Sequence, residues 1–177
     1  KNDDFSYYVQ AIYYSKLNVW EKAIENILKA IRLNDESIEY KYQLANYNYI
    51  IENYKKTIEI CAEINSKNPK YIQSYILLAK VYIRKEDIEN AQQNINKALI
   101  LDKNIPEIYC ILAELCLMKK EYDKAIENYK IAVSMNPKSE LYYAKIAECY
   151  YMLENYKDAY VYYKEACEFD ISNADYR

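Results

Sequence analysis

The 177 residues are 52% hydrophobic and carry a net charge of −3, which supplies a packed core but no basic footprint for nucleic acid. Glycine and histidine are both absent, excluding phosphate-cradling glycine loops and any Ser-His or Cys-His catalytic pair. Without glycine for tight hairpins a β-rich fold is also disfavoured, leaving an all-α chain, and no run of 18 apolar residues exists to span a bilayer.

The chain opens with KNDDFSYY, without an initiator Met or a signal-peptide pattern. Residues 1–3 and 174–177 are therefore expected to be flanks of a piece cut from a longer protein. From residue 4 the sequence repeats. WEKAIEN at Trp20–Asn26 returns as EYDKAIEN at Glu121–Asn128, and Ala125 follows Ala23 by 102 residues, three times 34. Five units then run without a gap: 4–37, 38–71, 72–105, 106–139 and 140–173. Apolar residues recur at helical spacing twice in each, predicting helix A over positions 1–14 and helix B over positions 17–30 of every unit.

The first unit sets the pattern with Ala11 in helix A and Trp20, Ala23, Ile27 and Ala30 in helix B. The second has Ala45, Tyr54 and Cys61 but departs at Thr57 and Ile64, where alanine is usual, and closes at Pro69. The third carries Ala79, Ile88, Ala91, Ile95 and Ala98. The fourth starts at Pro106, where a missing N–H costs nothing, and continues through Ala113, Tyr122, Ala125, Tyr129 and Ala132 to Pro137. The fifth repeats Ala147, Tyr156, Ala159, Tyr163 and Ala166. Small residues at positions 8, 20 and 27 let helices approach, and bulky ones at 17 and 24 fill the gaps. Asn53, Asp87 and Asn155 stand at the A–B turns and are expected to adopt the geometry glycine would otherwise supply. One helix pair cannot bury its own apolar face, so stacking must build the core.

In the fourth unit Tyr109, Leu112, Ala113, Cys116, Ala125, Tyr129 and Pro137 fall on the W-x2-L-G-x2-Y…A-x3-F…P signature. Five such units in register resemble the tetratricopeptide repeat (TPR), with Ala in place of Gly at position 8. The resemblance implies an all-α, right-handed α-solenoid of antiparallel helix pairs, one TPR superhelix over residues 4–173. It also implies a non-catalytic scaffold whose helix A positions 2, 5, 6, 9, 12 and 13 line a concave groove. Carried over, position 5 gives Tyr8, Tyr42, Ile76 and Cys110, and position 9 gives Ile12, Asn46, Lys80 and Glu114. Position 12 gives Tyr49, Ile83, Leu117 and Tyr151, joined by Arg84 and Met118 at 13 and Ile111 at 6.

Such a groove is apolar and aromatic with a polar line through its middle, suited to a peptide or amphipathic helix of a partner protein. The chaperone-tail carboxylate clamp of some relatives needs Lys and Asn at positions 5 and 9, with Asn, Lys and Arg in the next two units. The first frame offers Tyr8, Ile12, Gln43, Gln73 and Leu77, and no other frame matches. Glu39, Glu107, Glu114 and Glu148 among the groove positions argue against RNA. The last helix reads YVYYKEACEF, Tyr160–Phe169, an aromatic face that invites more chain or a second copy. Homo-oligomer formation through solenoid ends is thus the alternative role, beside that of a regulatory arm of a larger enzyme or assembly factor.

The five cysteines form an odd set without CxxC spacing and are expected to be reduced, in a cytoplasmic setting. No metal, cofactor or direct membrane insertion is expected.

Overall fold

A computed structural model describes the backbone of residues 3–174 and side chains as far as Glu168. Residues 1, 2 and 175–177 of the expected flanks, and the side chain of Phe169, lie outside the described part. Among the described residues there are ten helices and no strand. They are α1 (Asp4–Lys16), α2 (Trp20–Leu33), α3 (Ile38–Ile50), α4 (Tyr54–Lys67) and α5 (Ile72–Arg84), then α6 (Ile88–Leu101), α7 (Pro106–Met118), α8 (Tyr122–Met135), α9 (Glu140–Met152) and α10 (Tyr156–Ala174). Odd-numbered helices are the A members of each pair and even-numbered ones the B members. The fold class is all-α, a solenoid of helix pairs.

Local chemistry sets where the helices begin. Asp3 accepts from the Ser6 amide at 2.8 Å ahead of α1, and Ser37 accepts from the Tyr40 amide at 3.3 Å ahead of α3. Pro106 opens α7 as its first residue. Where they turn, the structure corrects the expectation for Asn53, Asp87 and Asn155. The left-handed backbone belongs to the residue before: Asn18, Glu52, Glu86, Lys120 and Glu154 have φ of 57°, 61°, 57°, 60° and 59°. Asn53, Asp87 and Asn155 instead accept hydrogen bonds from the amides of Lys56, Asn90 and Asp158 at 3.4, 3.1 and 3.3 Å. Their short polar side chains serve as N-caps for helix B, while position 15 makes the turn in every unit, including the first and fourth, where Val19 and Glu121 at position 16 cap nothing.

Packing follows the size alternation. Ala11, Ala45, Ala79, Ala113 and Ala147 at position 8 are fully buried, as are Ala23, Ala91 and Ala125 at position 20. Ile27, Ile95 and Tyr129 fill position 24, each against alanine at position 27. The second repeat exchanges these sizes, with Cys61 at 24 and Ile64 at 27, both fully buried. The bulk has moved one turn along the same face of α4, conserving volume. Thr57 is buried in place of alanine because its hydroxyl donates to the carbonyls of Ala45 at 3.3 Å and Asn53 at 3.2 Å.

The chain divides into two compact units between Lys85 and Glu86. In the first, each helix from α1 to α5 packs on the next, and α3 also meets α5. Its core joins Ala11, Ile27, Leu44, Tyr47, Ile64 and Leu78, with Trp20 and Tyr47 rings 6.1 Å apart. In the second, α6 to α10 pack in chain order, and Ala113, Ile126, Tyr129, Ile146 and Cys149 form a core cluster.

Candidate functional site

In the first unit the helix-A residues singled out by sequence fall into two groups. Tyr8, Ile12, Tyr42, Asn46, Tyr49, Lys80 and Ile83 are half-buried, and Arg84 is exposed. Ile76, by contrast, is only 5% exposed and belongs to the interior. Tyrosine rings dominate the surface. Tyr42 meets Tyr71 edge-on at 5.5 Å, Tyr8 lies 4.9 Å from Tyr40, and Tyr49 lies 6.1 Å from Tyr54.

Glu39, in the first turn of α3, ties this patch together. Its Oε1 accepts from the Tyr8 hydroxyl at 3.4 Å and the Gln43 amide at 2.9 Å, and its Oε2 accepts from the Tyr71 hydroxyl at 3.2 Å. Burial, together with the neighbouring Glu39 charge, pushes both hydroxyls above the ordinary tyrosine range, so both remain donors at neutral pH. Tyr71 is the residue that sequence reasoning missed. It is the N-cap of α5 yet offers no capping side chain, unlike Ser37 at the equivalent position, because its ring reaches Glu39 instead. An aromatic residue where a cap is expected was the available signal.

In the second unit, Cys110, Leu117 and Met118 of α7 are half-buried, and Glu114 is exposed. Ile111 is 2% exposed and packs inward. Tyr151 of α9 is 57% exposed, its ring edge-on to Tyr156 at 5.6 Å. Glu148 is paired with Lys145 at 2.7 Å. Beneath lies Tyr129, whose hydroxyl has no hydrogen-bond partner among the described residues. Burial first, then the charge of Glu114, hold that hydroxyl well above the ordinary tyrosine range.

Elsewhere, a cavity of about 550 Å³ opens at the first A–B turn, lined by Asn18, Val19, Trp20, Glu21, Ile24 and Ile51. It holds a single carboxylate and offers no acid–base pair. Among the described residues no group of three or more His, Cys, Asp or Glu could hold a metal ion, and no helix is long and apolar enough to cross a membrane. None of the five cysteines forms a disulfide, and burial raises the thiol pKa of Cys61 to about 12 and of Cys149 to about 11.

Paired antiparallel helices at a 34-residue spacing define a TPR-like repeat protein. Residues 8–173 match the ChAPs family, the Chs5p-Arf1p-binding proteins, and the chain belongs to it. It is also similar to a TPR repeat-containing protein, MJ1428, of Methanocaldococcus jannaschii, with 31% identity over 105 residues. That match covers 56% of this chain but only 17% of the relative's length. Two solved structures share the fold. The thermophilic TPR protein TTC0263 of Thermus thermophilus is 17% identical with a TM-score of 0.83, covering 97% of this chain and 94% of that one. A crystal structure of MamA is 20% identical with a TM-score of 0.75, covering 93% and 96%.

Proposed function

We propose that the chain is a non-catalytic protein-interaction scaffold whose helix-A faces take up a peptide or helix from a partner protein. The observation that carries this reading is the row of half-buried tyrosine and aliphatic side chains on α1, α3 and α5: Tyr8, Ile12, Tyr42, Tyr49 and Ile83. Large rings that are held by neighbours yet keep one face open can desolvate against a partner at low entropic cost. Asn46 and Lys80 add polar groups for a backbone or carboxylate. In the second unit Cys110, Glu114, Leu117, Met118 and Tyr151 would serve the same purpose. Membership of a family named for binding two proteins supports this reading. A cytoplasmic setting belongs to it, with the cysteines kept reduced.

The test pairs affinity capture with titration of the captured segment. Tyr42→Ala combined with Tyr49→Ala, which leaves the buried Ile76 in place, is expected to weaken binding at least tenfold. Equal affinity for the double variant would overturn the assignment.

A second reading, self-association, is favoured by α10. Its Tyr156 and Tyr163 are 59% and 41% exposed, although positions 17 and 24 are half-buried or buried in the earlier helix B members, and Tyr160 and Val161 beside them are 70% and 43% exposed. Light scattering across concentrations decides it, since a strict monomer at the highest concentration removes this role.

A further inference from the structure

We propose that Glu39, framed by Tyr8, Tyr42 and Tyr71, is a socket for an arginine side chain of the partner segment. This rests on the reading that the helix-A face receives a protein segment, and it names the chemistry of one anchor. Glu25, Glu59, Glu63, Glu121 and Glu148 each pair with a lysine. Glu39 differs from all of them: its three contacts come from the neutral donors Tyr8, Gln43 and Tyr71. Among the described residues no lysine or arginine forms an ion pair with it. Its negative charge is thus oriented but not neutralised, and about one of the roughly four acceptor positions of a carboxylate stays open.

The surroundings select the cation. Tyr8 is braced by Tyr40 at 4.9 Å and Phe5 at 6.2 Å, and Tyr71 by Tyr42 at 5.5 Å, so the rings beside the carboxylate are held in place. Each tyrosine oxygen that donates to Glu39 keeps acceptor capacity of its own. The result is a rim of acceptors flanked by aromatic surface. A guanidinium is planar, has several in-plane donors, is weakly hydrated and lies against tyrosine faces. A lysine ammonium is a compact, strongly hydrated point charge and gains less from such a rim. The carboxylate is pre-positioned by three helices' worth of contacts, from α1, α3 and the cap of α5, so little ordering is left to be done on binding.

The probe is a capped heptapeptide with a central arginine among isoleucines, compared with the same peptide carrying citrulline, which keeps the shape and removes the charge. Binding is followed by NMR through the Tyr8 and Tyr71 ring protons. The arginine peptide should saturate with at least tenfold higher affinity than the citrulline peptide. Glu39→Gln, whose amide oxygen can still accept from the tyrosines, should abolish that preference while its helical dichroism and indole unfolding midpoint stay those of the wild type. Tyr71→Phe, which removes a donor without volume, should reduce the preference partially. Equal binding of the two peptides, no saturable shift with the arginine peptide, or a preference that survives in Glu39→Gln would each overturn the socket. Tyr49→Ala separates the two proposals: it should weaken both peptides alike if the face binds protein segments. That result, with the arginine preference absent, would leave the binding face standing and remove the socket alone.

Discussion

Lys41 occupies position 4 of α3, where the other units carry Tyr7, Tyr75, Tyr109 and Tyr143, and it is 6% exposed. Its ammonium reaches Asp35 at 2.8 Å and Glu63 at 2.7 Å. Burial alone would lower its pKa, but the two carboxylates outweigh burial and hold it above the ordinary lysine range. A base whose folded pKa is raised contributes fully below its unfolded value of 10.5 and loses that contribution as pH climbs through the folded value. Asp35, lowered from 3.8 mainly by the hydrogen bond from Lys41, contributes above 3.8 and loses it as pH falls through its folded value. The tie is therefore whole between these limits. Asp35→Asn with Glu63→Gln strands a buried cation and should destabilise the fold, by less than the ~3–5 kcal/mol seen for wholly buried pairs because both carboxylates face solvent. Thermal melts of this variant should show stability rising with pH toward 10.5, since an unpaired buried lysine folds more readily without its proton. Lys41→Met, which fits apolar surroundings, should be nearly neutral. Tyr129→Phe removes a buried hydroxyl without a partner and should leave stability unchanged or raise it by ~1 kcal/mol, read from denaturant midpoints.

At the scale of the helix pair, the A–B turn is the element with the most to say about the missing glycine. A non-glycine residue in the left-handed region costs about 1–2 kcal/mol, and Glu52, Glu86, Lys120 and Glu154 all sit there. Glycine would remove that strain but adds ~0.5–1 kcal/mol of chain entropy to the unfolded state. Each of Glu52→Gly, Glu86→Gly, Lys120→Gly and Glu154→Gly is expected to stabilise by about 0.5–1 kcal/mol, and Asn18→Gly by less, because asparagine tolerates the conformation. Sites this far apart should add, so a combined variant should melt several degrees higher. The sequence placed each turn within a residue, because the two flanking apolar periods bracket it. It could not say which of two adjacent residues takes positive φ, since Asn53 and Asp87 are equally good turn formers and helix caps. Only the hydrogen bonds from Lys56 and Asn90 decide for capping.

Across the whole molecule, the helix pairs were legible because five copies of one pattern average out local ambiguity, and size alternation at positions 8, 20, 24 and 27 is a packing rule written directly in the residues. The face proposed to bind a partner was legible only in part. Periodicity says which helix face a residue occupies but not how deep it sits, so Ile76 and Ile111 were grouped with half-buried neighbours although they point into the core. Tyr71 escaped, and Glu39 was read only as a groove charge, because their shared meaning lies in a contact 32 residues apart that no local pattern encodes.

The chain has one tryptophan among 24 tyrosines, and Trp20 lies against Tyr47 in the first unit. This asymmetry makes the protein its own spectroscopic comparison. Emission excited selectively through the indole reports on the residues around α2 and α3, whereas far-ultraviolet dichroism counts every helix. Truncating the second unit's core at Tyr129→Ala, a change of the kind that costs ~3–5 kcal/mol, should make the dichroism fall at lower denaturant while the indole signal holds its wild-type midpoint, as expected when repeats share stability only with neighbours. Coincident curves would mean that the chain unfolds as one cooperative body. A single side chain thus serves as a gauge for half of the polypeptide.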